Sequence, residues 1–307
     1  MSEDAVGLRR TLASAGDLQS VVRTMKALAA SSIGQYEQSV RALAGYNRAV
    51  ELALSACLRA GGDVNASAPL SPGSQPRATV AVVFGSDQGL VGQFNQSMAD
   101  FAVAQLSALT VPATVWVVGE RVFARLRDAD MGPVRGPLPV PLSVKGITAL
   151  VGRILLETEA VQSAQGLFDL RIFHHRPKAG SVHAPVSQRL LPLDADWRRE
   201  RVAVRWPTQQ LPQVIHPGRT TMRLLIREYL FVSLFRACAE SLASENASRL
   251  SAMERADKNI SELLDELQSR YNRQRQSGID AELFDMVAGF EALTKPRRGP
   301  HAGKAGA

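Results

Sequence analysis

Residues 235–271 read FRACAESLASENASRLSAMERADKNISELLDELQSRY. Within them apolar or small side chains recur at Phe235, Ala239, Leu242, Leu250, Met253, Ile260, Leu264, Leu267 and Tyr271. Asn246 and Asp257 occupy two further positions of the same series. The steps alternate between four and three with one additional four. That is the stripe of a helix packed along a partner helix. The two polar members fix register at some cost in stability. From Arg219 to Thr294 there is no proline and only Gly278 and Gly289, so the spacing predicts one helix over 219–294, about 110 Å long. Few ordinary globular domains contain such a rod.

A bare apolar stripe does not stand free in water, so a partner is needed. Residues 3–60 also lack proline and carry Leu18, Val22, Met25, Ala29, Ile33, Tyr36, Val40, Leu43, Val50 and Leu54, again mostly in steps of three and four. Gly7, Gly16, Gly34 and Gly45 each weaken that helix by about 1 kcal/mol, so it too relies on tertiary support. The two stripes most simply bury each other as an antiparallel coiled coil.

The middle of the chain changes period. Ala78 to Phe84 and Ala113 to Val118 are continuous apolar runs closed by Gly85 and Gly119, as in buried strands. Leu167 to Phe173 is a third strand, and Leu190–Leu193 and Val202–Trp206 read as two more. Helices are expected over 94–109 and 145–165, and a loop over Gly132–Pro141. This order predicts a small Rossmann-like α/β domain with a sheet at least partly parallel. The expected organisation is a helix over 1–60, a linker over 61–77, the α/β domain over 77–206, a helix over 219–294 and a disordered basic tail over 295–307.

Totals narrow the function. The 307 residues carry a net charge of +7, but Lys295, Arg297, Arg298 and Lys304 of the tail account for four of the basic groups. No basic stripe lies on a folded face, as a nucleic-acid binder would need. No apolar run spans a bilayer, and the start Met1-Ser2-Glu3-Asp4 is not that of a signal peptide. Cys57 and Cys238 sit among apolar neighbours, as buried free thiols do. The turn Ser86–Gly92 follows a strand and contains glycines, but it has neither dinucleotide-binding spacing nor a P-loop lysine. It reads as a tight strand-to-helix turn. His174, His175 and His183 lack an acidic or cysteine ligand at metal spacing, and adjacent strand residues point to opposite faces. No catalytic site, cofactor or metal is expected.

The C-terminal helix runs Ser244-Glu245-Asn246-Ala247-Ser248-Arg249-Leu250-Ser251-Ala252-Met253, then Asp257-Lys258-Asn259, then Tyr271-Asn272-Arg273-Gln274-Arg275-Gln276. It resembles the signature helix of the gamma subunits of F-type ATP synthases, which reads Ser-Glu-x-Ala-x-Arg-x-x-Ala-Met, Asp-Asn and Tyr-Asn-x-x-Arg-Gln. Thr24–Ser31, the Ser86–Gly92 turn and Gln188–Leu193 are similar to further segments of that family, and the resemblance runs from about Leu8 to Leu293. There are departures. A family lysine before Met25 is missing, the turn carries Val91 where the family has cysteine, and the chain continues past the usual end. These fit a divergent lineage, such as the second, sodium-pumping F-type ATPase of some bacteria.

The resemblance implies a central-stalk rotor without an active site of its own, coupling ion flow through the membrane sector to ATP synthesis or hydrolysis. Its implied partners are the alpha and beta subunits, the epsilon subunit and the membrane c-ring, with no nucleic acid and no direct membrane insertion. The implied place is the cytoplasmic face of the bacterial inner membrane, as a peripheral protein. Met25, Lys26, Arg249, Arg275 and Gln276 match family positions that face the surrounding alpha and beta subunits. Two other classes fit the residues alone: a coiled-coil adaptor with an α/β head, and a small-molecule enzyme using the Ser86–Gly92 turn. Co-purification with the other subunits separates the first, and saturable ligand binding to the isolated chain the second.

Overall fold

A computed structural model describes residues 3–61, 78–111, 113–129, 132–178, 181–210, 212–215 and 218–294. The elements are α1 (Glu3–Arg59), β1 (Thr79–Phe84), α2 (Phe94–Ser107), β2 (Ala113–Val118), α3 (Glu120–Arg127), β3 (Val134–Leu138), α4 (Val144–Gln165), β4 (Asp169–Lys178), β5 (Ser181–Leu191), α5 (Ala195–Ala203) and α6 (Arg219–Thr294). The chain divides into two units. One comprises Met1–Thr24 with Glu254–Ala307, the other Met25–Met253.

The second unit is built on a five-stranded sheet in the order β3-β2-β1-β4-β5. The first four strands are mutually parallel and β5 runs antiparallel to β4. Alternation along β1 sorts the two faces. Val80, Val82 and Phe84 join a core with Leu54 of α1, Ile147 and Ile154 of α4, and Met222 and Leu234 of α6. Ala81 and Val83 point the other way, into a core with Met98 and Ala102 of α2 and Val122 and Leu126 of α3. Helices thus cover both faces, which is why β1 and β2 read as unbroken apolar runs. Cys57 and Cys238 are buried free thiols in the first of these cores.

All eleven positions of the α6 stripe are buried or half-buried. In the first unit, Gln19 Nε2 donates to Ser261 Oγ at 2.8 Å and Arg23 Nε to Asp257 Oδ1 at 3.2 Å. One residue number rises by four as the other falls by four, so the helices are antiparallel there. The half-buried Asp257 thus acts as a register marker, although an ion pair this exposed is worth only about 0–1 kcal/mol. In the second unit Tyr46 Oη donates to Glu228 Oε2 at 2.6 Å, while Tyr36 lies near Glu245, again descending on α6 as α1 ascends.

Five details differ from the sequence reading, the first being that the strand expected over Leu190–Leu193 is β5, which begins at Ser181 and ends at Leu191. Leu18 is 54% exposed; the covered stripe of α1 is Leu12, Ala15, Gln19, Val22, Lys26, Ala29, Ile33, Tyr36 and Val40, a regular alternation of three and four. Polar Gln19 holds the place that apolarity assigned to Leu18, and polar Lys26 is half-buried beside the also half-buried Met25. The stretch Gly132–Pro141 contains the edge strand β3, and Glu120–Arg127 is a helix. The strand expected over Val202–Trp206 is absent; α5 ends at Ala203 and starts at Asp194, whose carboxylate accepts from Trp197 N at 2.9 Å. The linker over 62–77 and the tail over 295–307 lie outside the described residues.

Candidate functional site

Among the described residues no cleft brings catalytic groups together. Polar chemistry is instead concentrated where α6 crosses β4, β5 and the Ser86–Gly92 turn, all within the second unit.

The turn is closed by its own side chains. Ser86 N donates to Asn95 Oδ1 at 3.0 Å, and Asn95 Nδ2 donates to Ser86 Oγ at 2.8 Å. Asp87 accepts from Glu120 N at 3.0 Å and from Val140 N at 2.9 Å, one on each oxygen. The buried Ser86 N–H, which a phosphate cradle would aim at an anion, is therefore already satisfied. Gly85 is required for packing: a Cβ there would lie 2.2 Å from Val122 Cγ1. The turn ends in two left-handed residues, Leu90 and Gly92.

Helix α6 bonds to this turn and to the sheet. Ser248 Oγ donates to Val91 O at 2.8 Å and lies 3.3 Å from His183 Nε2. His183 Nδ1 and His175 Nδ1 are 2.9 Å apart, and His175 Nε2 donates to Phe94 O at 2.9 Å. Burial and the neighbouring His183 push His175 down to about 4, so the ring is neutral at pH 7. His174 points to the opposite face, as strand alternation demands. Its Nε2 donates to Glu240 Oε2 at 3.0 Å. Burial also lowers His174, so the pair is a neutral imidazole on a carboxylate. Burial alone would raise Glu240, but hydrogen bonds from His174, Arg236 and Arg176 outweigh it and hold the carboxyl at about 2. One turn and a half further on, burial raises Glu245, with Arg249 opposing and Asp87 adding to the rise. Among the described residues no three His, Cys, Asp or Glu side chains converge as metal ligands.

Of the five residues singled out by resemblance, Met25, Lys26 and Arg249 belong to the second unit and Arg275 and Gln276 to the first. Met25 and Lys26 are half-buried on α1. Arg249 is 11% exposed and donates to Glu245 Oε1 at 2.7 Å, with Asn246 Oδ1 at 3.4 Å. Arg275 and Gln276 are exposed on α6. The His174–Glu240–Arg176–Arg236 group was not singled out from the sequence; 64 and 66 residues separate its strand and helix members, and no local spacing signals such a pairing.

In the first unit, the antiparallel register brings the start of α1 opposite α6 near residue 277. Beyond it Ile279, Leu283, Phe284, Met286, Val287 and Phe290 are 46–75% exposed. Ile279, Leu283, Val287 and Phe290 recur in steps of four, four and three, so they form one helix face. Exposed apolar faces of this kind mark interaction surfaces. Among the described residues no helix is long and apolar enough to cross a membrane.

Comparison with known proteins gives one answer. The family model described as ATP synthase matches residues 5–293. The ATP synthase gamma chain of Rhizobium johnstonii is 28% identical over 303 residues, covering 93% of this chain and 98% of the relative. That of Moorella thermoacetica is 26% identical over 296 residues, with the same coverage. Among solved structures, a chain of the Euglena gracilis mitochondrial ATP synthase, in its OSCP/F1/c-ring assembly, matches with a TM-score of 0.63 at 15% identity, over 98% of this chain and 99% of that one. A chain of the Tetrahymena thermophila central stalk and c-ring matches with a TM-score of 0.53 at 18% identity, over 77% of this chain and 99% of that one. Those two likenesses are of fold. The family match spans the helices and the sheet alike, and this chain belongs to the ATP synthase gamma family.

Proposed function

We infer that the chain is the central rotor shaft of an F-type ATP synthase and performs no chemistry itself. The observation that carries this reading is the far end of α6, where an apolar helix face continues past the stretch that α1 covers. A ring of alpha and beta subunits would bury that face. A shaft must resist twisting, and the paired stripes of α1 and α6 suit that demand. Because the shaft is asymmetric, its rotation presents a different face to each of three beta subunits. Distant catalytic sites are thereby driven through states of different nucleotide affinity.

In this reading Met25, Lys26, Arg249, Arg275 and Gln276 meet the alpha–beta ring, Arg249 from within its pair with Glu245. Exposed Arg275 and Gln276 would form and break hydrogen bonds with successive subunits. The epsilon subunit and the c-ring are the remaining partners, and the chain is peripheral to the cytoplasmic face of the inner membrane. Its organisation is a helix over 1–60, an α/β domain over 77–206, a helix over 219–294 and a tail over 295–307. The pure chain is expected to hydrolyse no ATP, whereas co-expression with alpha and beta subunits yields a stable complex that does. Turnover by the pure chain, or failure to assemble with the ring, would refute the reading.

A further inference from the structure

One cavity of about 150 Å³ lies within the second unit, beneath the crossing of α6 over β4. Its chemistry is set by Arg176 of β4, Arg201 of α5, Arg236 and Glu240 of α6, Glu51 of α1 and His174. Both oxygens of the buried Glu240 are occupied. Oε2 accepts from His174 Nε2 and, at 2.9 Å, from Arg176 Nε; Oε1 accepts from Arg236 Nε at 2.7 Å. Each of the two arginines is thus fastened through Nε alone. Their terminal Nη groups have no hydrogen-bond partner among the described residues, and the side chains are 45% and 54% exposed. Two guanidinium forks fixed on one carboxylate are pre-organised for an oxyanion, because the rotamer freedom that binding would remove is already restricted.

Two of the lining residues, Arg201 and His174, each carry a buried polar atom without a partner. Arg201 donates through Nη1 to Glu51 Oε1 at 2.7 Å, but its Nε is buried without an acceptor. His174 uses its Nε2–H on Glu240, so its Nδ1 carries a lone pair, and that atom is buried without a donor. Such orphans cost about 1–3 kcal/mol each. Three arginines against two glutamates and a neutral imidazole leave one excess positive charge. The missing species therefore offers acceptor oxygens to arginine, an O–H to an imidazole nitrogen, and negative charge. The space is below the range of pockets that hold drug-sized ligands, which excludes a whole nucleotide.

We propose that this arginine-lined cavity binds inorganic phosphate in a protonated form, with Arg176 and Arg236 as the anion fork and Arg201 and His174 among the lining residues. Phosphate at neutral pH retains an O–H; sulfate has the same shape and no proton. The proposal does not depend on the rotor reading.

The test is calorimetric titration of the full chain with inorganic phosphate, at constant ionic strength made up with chloride. One saturable site is expected, with sulfate binding at least several-fold more weakly. Arg176→Gln and Arg236→Gln should each weaken phosphate at least tenfold, while Arg189→Gln, outside the cavity, leaves it unchanged. Where a glutamine variant melts early, Arg176→Lys or Arg236→Lys keeps the charge, removes the fork and should still weaken binding several-fold. Absence of saturable binding would mean that the cavity holds only water. Equal affinity for phosphate and sulfate, or arginine variants that bind as the parent does, would mean a nonspecific anion. Any of these results overturns the proposal.

Discussion

Gly119→Ala is expected to destabilise the α/β domain by about 2–6 kcal/mol, enough to lower its melting temperature visibly. Two costs combine. Gly119 sits at φ 105, where side-chain-bearing residues are strained by about 1–3 kcal/mol. Its Cβ would also lie 2.8 Å from Ser86 N and 2.9 Å from Gly85 C and Ser86 O. These are backbone atoms of the neighbouring strand end, so relief requires parting β1 from β2 where Gly85 N donates to Val118 O at 2.8 Å. Overpacking of that kind costs a further 1–3 kcal/mol or so. Gly45→Ala on α1 is the control with the opposite sign. Nothing lies within 4 Å of its Cβ, and helix propensity favours alanine by about 1 kcal/mol. Equal melting temperatures for Gly119→Ala and the parent would contradict the close strand-end packing.

Glu240→Ala is expected to cost about 3 kcal/mol. The substitution leaves the His174 Nε2–H buried without an acceptor and removes the shared anchor of Arg176 and Arg236. The two arginines are half exposed and turn to water, so the loss stays below that of a fully buried triad. Glu240→Gln keeps an acceptor and should cost less. The pH dependence follows from the depressed carboxyl. With a folded value of about 2, below its ordinary value, Glu240 contributes stability that is fully present above the ordinary carboxylate range and is lost as pH falls toward 2. Acid unfolding should therefore be shallower in Glu240→Ala than in the parent. Parallel acid-unfolding curves would show that Glu240 is not the anchor of this joint.

The long stripe of α6 was legible because its burial is periodic over eleven consecutive seam positions, and β1, β2 and β4 because they are covered on both faces. Legibility failed where burial and apolarity part company. On α1 the covered Gln19 and Lys26 are polar and the exposed Leu18 is apolar, so a hydrophobic reading slips by one residue. Strand β3 is an edge strand, mostly exposed and containing Gly136 and Pro137, which are turn residues in isolation. Helix α5 buries no residue, so no apolar stripe marks it in the sequence. Of the polar joint the sequence carried the parts and not the pairing. His174 and His175 were expected on opposite faces and lie there, but Glu240 and Ser248 reach them through tertiary packing.

The central claim is that this chain turns within a ring of alpha and beta subunits. Its two cysteines are buried, so Lys178→Cys, at an exposed position on β4, provides a single site for a fluorescent or bead label. The measurement is to fix the alpha–beta ring of the assembled complex to a surface, supply ATP and follow the label. The expected result is continuous rotation in one direction with three dwell positions per turn; in a separate, unlabelled Gln276→Cys variant, ATP turnover should stop when that cysteine is cross-linked to the ring and resume on reduction. ATP turnover that continues while the label holds a fixed position, or that survives the cross-link, would contradict the account.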